Sequence, residues 1–158
     1  MRVSASASIV GNNGEGNMVK DFRHACVLVS DLKRSIRFYR DLLGLKVDKV
    51  RVVEGEFADA TLGRKGVFLE YAKLKPARWP KGRPTPFELH RWHKPRMKPA
   101  PERGHISFTV TDLDREYKRL RKRGVKFISA PRLMASGTKL CFGYDPDRNL
   151  IEFIEDVV

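Results

Sequence analysis

No stretch of this chain approaches the roughly 20 consecutive apolar residues that a membrane-spanning helix needs, so no membrane partner is expected. Cysteine is scarce. Cys26 and Cys141 stand far apart and form neither a CxxC pair nor a closely spaced framework, so both are expected to be buried free thiols. The opening MRVSASASIVGNNGEGN has too weak an apolar stretch for a secretory signal, which points to a cytoplasmic protein with a disordered leader over residues 1–17. Acid is in short supply as well: 19 Asp and Glu face 32 Lys and Arg, leaving a net charge of +13. Such an excess first suggests nucleic acid. The cations are scattered, however, over predicted helix faces (Lys118, Arg119, Arg121, Lys122, Arg123) and a Pro-rich loop from Lys75 to Arg103. No zinc-finger, RRM or basic-zipper pattern accompanies them. The charge therefore reads as a solvated basic face, or as the surroundings of a site for an anionic small molecule.

The chain does contain one phrase twice. RHACVLVSDLK (Arg23–Lys33) returns 81 positions later as GHISFTVTDLD (Gly104–Asp114), each with a His, four residues, then Val, a hydroxyl residue, Asp and Leu. Both open with strand-like alternation. Ala25, Val27 and Val29, like Ile106, Phe108 and Val110, fall on a face expected to pack on a helix; His24 and His105 fall on the opposite face. A helix follows each, with Ser30-Asp31 and Thr111-Asp112 as N-cap candidates and Gly44 and Gly124 closing them. Leu32, Ile36, Tyr39 and Leu43 recur at helical spacing, as do Leu113, Tyr117 and Leu120. Three strand-like stretches complete each copy: Leu45–Val53, Gly66–Leu74 and Phe87–Trp92 in the first, Val125–Ile128, Lys139–Tyr144 and Leu150–Glu155 in the second. The fold class predicted is α+β, as two tandem βαβββ modules over residues 18–92 and 104–158, joined by a linker over 93–103.

The module ends match too. Phe87-Glu88-Leu89 corresponds to Ile151-Glu152-Phe153, which turns Glu88 and Glu152 to the same open faces as the two histidines. A carboxylate on an inward strand face is costly unless paired, protonated or bound to a cation. Two His and two Glu at equivalent places supply imidazole and carboxylate ligands suited to a divalent transition metal. His90 lies two residues beyond Glu88 on the same face, either lining the rim, serving as an acid or base, or replacing Glu88 as ligand. His93 falls just past the predicted strand and is expected outside the site.

HACVLVSDLKRSIRFYRDLLGL and GYDPDRNLIEFIE resemble the opening and closing signatures of the vicinal oxygen chelate superfamily, which includes glyoxalase I, methylmalonyl-CoA epimerase, fosfomycin-resistance enzymes and extradiol dioxygenases. The resemblance spans Met18–Val158 and implies a half-open barrel around a divalent metal (Ni, Co, Zn, Mn or Fe) held by His24, Glu88, His105 and Glu152. It implies a lyase or isomerase acting on a small substrate that chelates the metal through vicinal oxygens and reacts through an enediolate. Glu88 or Glu152 would move the proton, with His90 as the reserve. The alternatives are an Fe(II) extradiol-type dioxygenase, using His24, His105 and Glu152, and a non-catalytic binding or resistance protein. A homodimer is implied as well, the site closing within one chain or between two. Two features depart from the superfamily pattern: Arg148 stands where Gly is usual in the closing turn, and the loop PARWPKGRPTP (Pro76–Pro86) is longer and more basic.

Overall fold

In both modules the repeated phrase forms an outer strand and the helix after it. The computed structural model describes residues 22–101 and 104–156; the leader expected over residues 1–17 lies outside them. The first module runs β1 (Ala25–Leu28), α1 (Leu32–Arg37, continued as a π-helical turn over Phe38–Leu42), β2 (Lys46–Glu54), α2 (Glu56–Leu62), β3 (Phe68–Lys75) and β4 (Phe87–Lys94). The second runs β5 (His105–Thr109), α3 (Leu113–Lys122), β6 (Arg132–Leu133), β7 (Thr138–Tyr144) and β8 (Leu150–Asp156). The two four-stranded sheets have the same order, β1-β4-β3-β2 and β5-β8-β7-β6, and neither closes on itself. The pairs β1/β4 and β5/β8 are parallel, the others antiparallel.

The caps form where the sequence places them. Asp31 accepts from the Arg34 N–H at 2.9 Å and Asp112 from the Arg115 N–H at 3.1 Å, each satisfying a free amide of the first turn. Asp112 does so from a left-handed conformation (φ 56°), held by the Glu155 carboxylate of β8, which accepts from the Asp112 and Leu113 amides. Gly44, at φ 78°, takes the left-handed residue that ends the first helical segment.

The helix-covered faces of both sheets contribute to one core. Val29, Leu32, Tyr39, Leu74, Phe87 and Leu89 of the first module cluster with Leu113, Leu120, Cys141, Ile151 and Phe153 of the second. The Tyr39 ring lies 5.0 Å from Phe87 and 6.4 Å from Phe108, centroid to centroid, so aromatic side chains cross the module boundary. The DPDRN turn adds polar ties. Tyr39 Oη donates to Asp145 Oδ2 (3.0 Å), Asn149 Nδ2 to the Leu28 carbonyl (2.9 Å), and Ser30 and Arg34 both reach Asp147. Arg148 stands in this turn at φ 65°, the left-handed region that favours Gly, with its guanidinium 5.4 Å from the Tyr144 ring.

Several elements differ from the sequence pattern. The short helix α2 stands where no helix was expected. Gly55 and Gly63 bracket it, and the Asp59 carboxylate ties it down by accepting from the Gly66 and Val67 amides at 2.6 and 2.7 Å. Its Ala58 packs with Val67, Leu69, Val53 and Trp92 into a small second core. The strand expected over Val125–Ile128 reduces to one bridge, Phe127 to Gly143, and the edge strand is β6 instead. The Phe127 ring packs close over Gly143, where an added Cβ would come to 3.0 Å from Cδ1, and Pro131 then interrupts the donor row. β4 extends past Trp92 to Lys94 and so includes His93, which is the extra residue skipped where the pairing with β3 shifts between Leu69–Trp92 and Phe68–Lys94. Of the two thiols, Cys141 is buried as expected and burial pushes it up to about 11, but Cys26 is exposed. Its position on β1 turns it to the open face. Among the described residues, no helix is long and apolar enough to cross a membrane.

Candidate functional site

Strand register puts the two modules on the same frame. In the parallel pair β1/β4, Cys26 lies opposite Glu88; in β5/β8, Ser107 lies opposite Glu152. The histidine stands two residues before that partner in each case. His24 Nδ1 lies 3.4 Å from Glu88 Oε1, and His105 Nε2 lies 3.3 Å from Glu152 Oε2. Each sheet therefore carries one His–Glu pair on the face away from the shared core.

The surroundings of the two pairs differ. Glu88 is buried, with 4% of its surface exposed. His90 Nε2 donates to its Oε2 at 2.8 Å, and the ammonium of Lys73, directly opposite on β3, lies 2.5 Å from Oε1. Oε1 is thus the oxygen that faces both Lys73 and His24. Burial pushes the Glu88 carboxyl up; the contacts with His90, Lys73 and His24 outweigh it and hold the group below the usual carboxylate range. Burial likewise pulls the His90 imidazole down, but the Cys26 thiol and the Glu88 carboxylate raise it above its ordinary value. In the second module Phe142 takes the place opposite Glu152 that Lys73 takes opposite Glu88, and the His105 ring meets Phe142 edge-on at 5.5 Å. Among the described residues, His105 is the one basic side chain beside Glu152.

His105 also lines two cavities. One, about 240 Å³, is shared with Cys26, Val27, Leu28, Asn149 and Leu150. The other, about 560 Å³, is largely apolar and is walled by Leu74, Phe87 and Phe108 and by Pro76, Trp79 and Pro86 of the basic loop. That loop is fixed by Trp79 Nε1 donating to the Pro84 carbonyl (3.0 Å) and by Thr85 and Lys75 binding the Asp48 carboxylate. Arg78, Lys81 and Arg83 remain exposed on it.

The structure thus brings His24, Glu88 and His90 together, and separately His105 and Glu152. His24 and His90 meet opposite oxygens of Glu88 rather than a common point. Among the described residues, no hydrogen bond or ion pair joins the two groups, and no three His, Cys, Asp or Glu side chains converge as metal ligands would. His93, expected outside, lies within β4, 2.6 Å from Glu70 and stacked on Phe68 at 4.5 Å. Lys73 escaped the sequence reading; its strand position opposite Glu88 was the available signal. The donor chemistry of each pair suits a divalent metal, and at Glu88 Oε1 the place of a cation is taken by the Lys73 ammonium. Each module carries one His and one Glu of the four ligands expected from the sequence.

A family model described as "Glyoxalase/Bleomycin resistance protein/Dioxygenase superfamily" matches residues 21–153. The chain belongs to this superfamily. Among its glyoxalase relatives is a probable lactoylglutathione lyase of Synechocystis, 30% identical over 84% of this chain and 92% of the relative. The lactoylglutathione lyase of Haemophilus influenzae is also 30% identical, over 84% and 90%. Among solved structures, a glyoxalase family protein from Bacillus cereus superposes with a TM-score of 0.75 at 25% identity, covering 90% of this chain and 97% of that one. A trypanothione-dependent glyoxalase I of Leishmania major gives 0.64 at 25% identity, over 87% and 88%.

Proposed function

We propose that the chain is a divalent-metal-dependent enzyme of the glyoxalase type, a lyase or isomerase, working as a homodimer on a small anionic substrate with vicinal oxygens. The observation that carries this reading is the His–Glu pair repeated at the same register position in both sheets. His24 and Glu88 of one copy, with His105 and Glu152 of a second, would hold the metal. The shared core supports the division between copies, because the helix-covered faces pack together within one chain and the His–Glu faces lie on the other side of each sheet. When bound, a metal supplies Lewis-acid polarisation of neighbouring substrate oxygens, which acidifies the adjacent C–H.

The chain's own groups then handle the proton. Among the described residues, Glu88 is engaged by His90, Lys73 and His24, whereas Glu152 has the single basic neighbour His105, which leaves Glu152 the freer carboxylate to accept a proton from carbon. His90, donating to Glu88, keeps that carboxylate in place and stands next in line as an acid or base. The apolar wall of Trp79, Pro76 and Pro86 beside His105 excludes water from one side, and the exposed Arg78, Lys81 and Arg83 favour an anionic ligand.

Relatives that carry the name lactoylglutathione lyase make lactoylglutathione formation the first activity to assay. The expected result is activity that a chelator removes and a divalent metal restores, falling at least a hundredfold in Glu152→Gln. Protein purified with no bound metal and with activity indifferent to chelation would refute the reading.

A further inference from the structure

The two modules repeat each other closely at their His–Glu pairs, with one substitution of chemical kind on the strand facing each glutamate. Phe142 faces Glu152; Lys73 faces Glu88. The Lys73 side chain is largely buried, its ammonium 2.5 Å from Glu88 Oε1 and 5.7 Å from the centre of the Tyr71 ring. Glu88 is the most enclosed acid of the site, and Oε1 is the oxygen that both Lys73 and His24 approach. An enclosed carboxylate without a cation is costly to keep ionised. His90 offsets part of that cost at Oε2, and Lys73 offsets part of it at Oε1, the same oxygen that the His24–Glu88 pair would offer a metal.

We propose that Lys73 is a positioning residue that holds Glu88 as a resident cation, so that a divalent metal binds by displacing it. This rests on the metal-site reading above. Metal loading is then an exchange of one cation for another. The metal must break the Lys73–Glu88 pair and leave an ammonium close to a doubly charged ion, which lowers metal affinity relative to a site without Lys73. In exchange the metal-free chain keeps Glu88 ionised, oriented and ready. The second module, with Phe142 at this place, has no such device.

The test is calorimetric titration with Co²⁺ of chelator-treated wild type, Lys73→Met, Lys73→Arg and Lys73→Met/Glu88→Gln, alongside thermal unfolding in chelator. The expected result is at least tenfold tighter Co²⁺ binding for Lys73→Met, no gain for Lys73→Arg, and loss of the gain in the double variant. In chelator, Lys73→Met is expected to melt below wild type, with Co²⁺ closing the gap. Equal or weaker Co²⁺ binding by folded Lys73→Met would overturn the exchange while leaving the metal site standing. No Co²⁺ binding by either wild type or Lys73→Met would overturn both readings. Binding by Lys73→Met alone would support the exchange in its strongest form. Should Lys73→Met not fold, Lys73→Gln takes its place, with the same tenfold gain expected and its absence decisive.

Discussion

Replacing Tyr39 by Phe removes one hydroxyl from the place where the two modules meet. The ring is fully buried, with centroids 5.2 Å from Phe38, 5.0 Å from Phe87 and 6.4 Å from Phe108, and a Phe ring keeps all three contacts. The hydroxyl donates to Asp145 Oδ2 at 3.0 Å. A hydrogen bond to a charged acceptor contributes about 1.5–3 kcal/mol. Asp145 keeps Asn149 Nδ2 on the same oxygen and the Asp147 and Asn149 amides on the other, so the carboxylate is not stripped. The cost therefore falls at the lower end, about 1.5–2 kcal/mol. In a chain of this length about 1 kcal/mol moves the Tm by about 2–4 °C, so the expected drop is about 3–8 °C. Thermal and urea unfolding followed by far-UV circular dichroism measures it. Asp145→Ala is expected to cost more, because it leaves the buried Tyr39 hydroxyl and two turn amides without their acceptor. A Tyr39→Phe loss below about 0.5 kcal/mol, the range of a surface substitution, would refute the reasoning that this bond couples the modules.

Mixing two inactive chains, His24→Ala/Glu88→Ala and His105→Ala/Glu152→Ala, is expected to restore metal binding and activity in the mixed dimer, because one intact half-set comes from each; no recovery after refolding them together would mean that the site closes within one chain. Gly143→Ala places a Cβ 3.0 Å from Phe127 Cδ1 and 3.1 Å from the Lys126 carbonyl, so a loss of about 1–3 kcal/mol is expected in urea unfolding. Contacts with Lys75 and Thr85 hold the Asp48 carboxyl below its ordinary 3.8, so its contribution is present above that value and is lost as pH falls through the lower folded one. The acid limb of the stability curve is accordingly expected to be shallower in Asp48→Asn than in wild type, and unchanged slopes would count against the Asp48 anchor.

The frame of this fold is legible because it rests on local signals repeated twice. Alternation in ACVLV and ISFTV, the Asp caps and Gly44 each act within a few residues, and each appears where the pattern puts it. The misses have longer-range causes. Glu56–Leu62 is too short for a periodic signal and is held by Asp59 reaching Gly66 and Val67 across a turn. The Val125–Ile128 strand fails because Phe127 needs the space over Gly143, a tertiary demand that alternation does not contain. His93 lies in β4 as the extra residue of an irregularity that only the pairing with β3 reveals. At the site, the His–Glu pairings follow from the repeat, but the partner of Glu88 across the sheet depends on the β3 register. Lys73 therefore becomes visible only once the strands are aligned.

That register also gives the two glutamates different surroundings. Cys26, His90 and Lys73 surround Glu88, whereas the equivalent places around Glu152 hold Ser107, Ile154 and Phe142. The first environment is polar and carries its own cation; the second is mostly apolar, and the His105 ring packs edge-on against Phe142. A carboxylate gripped by several partners is fixed in direction and resists moving, while one with a single ion-pair partner has oxygens left for other work. On the proposed metal-site reading, the first module would hold its glutamate still and the second would leave its glutamate available. A site that took one half from each module would have one wall suited to charge and one suited to an apolar group, and would orient a substrate that carries both.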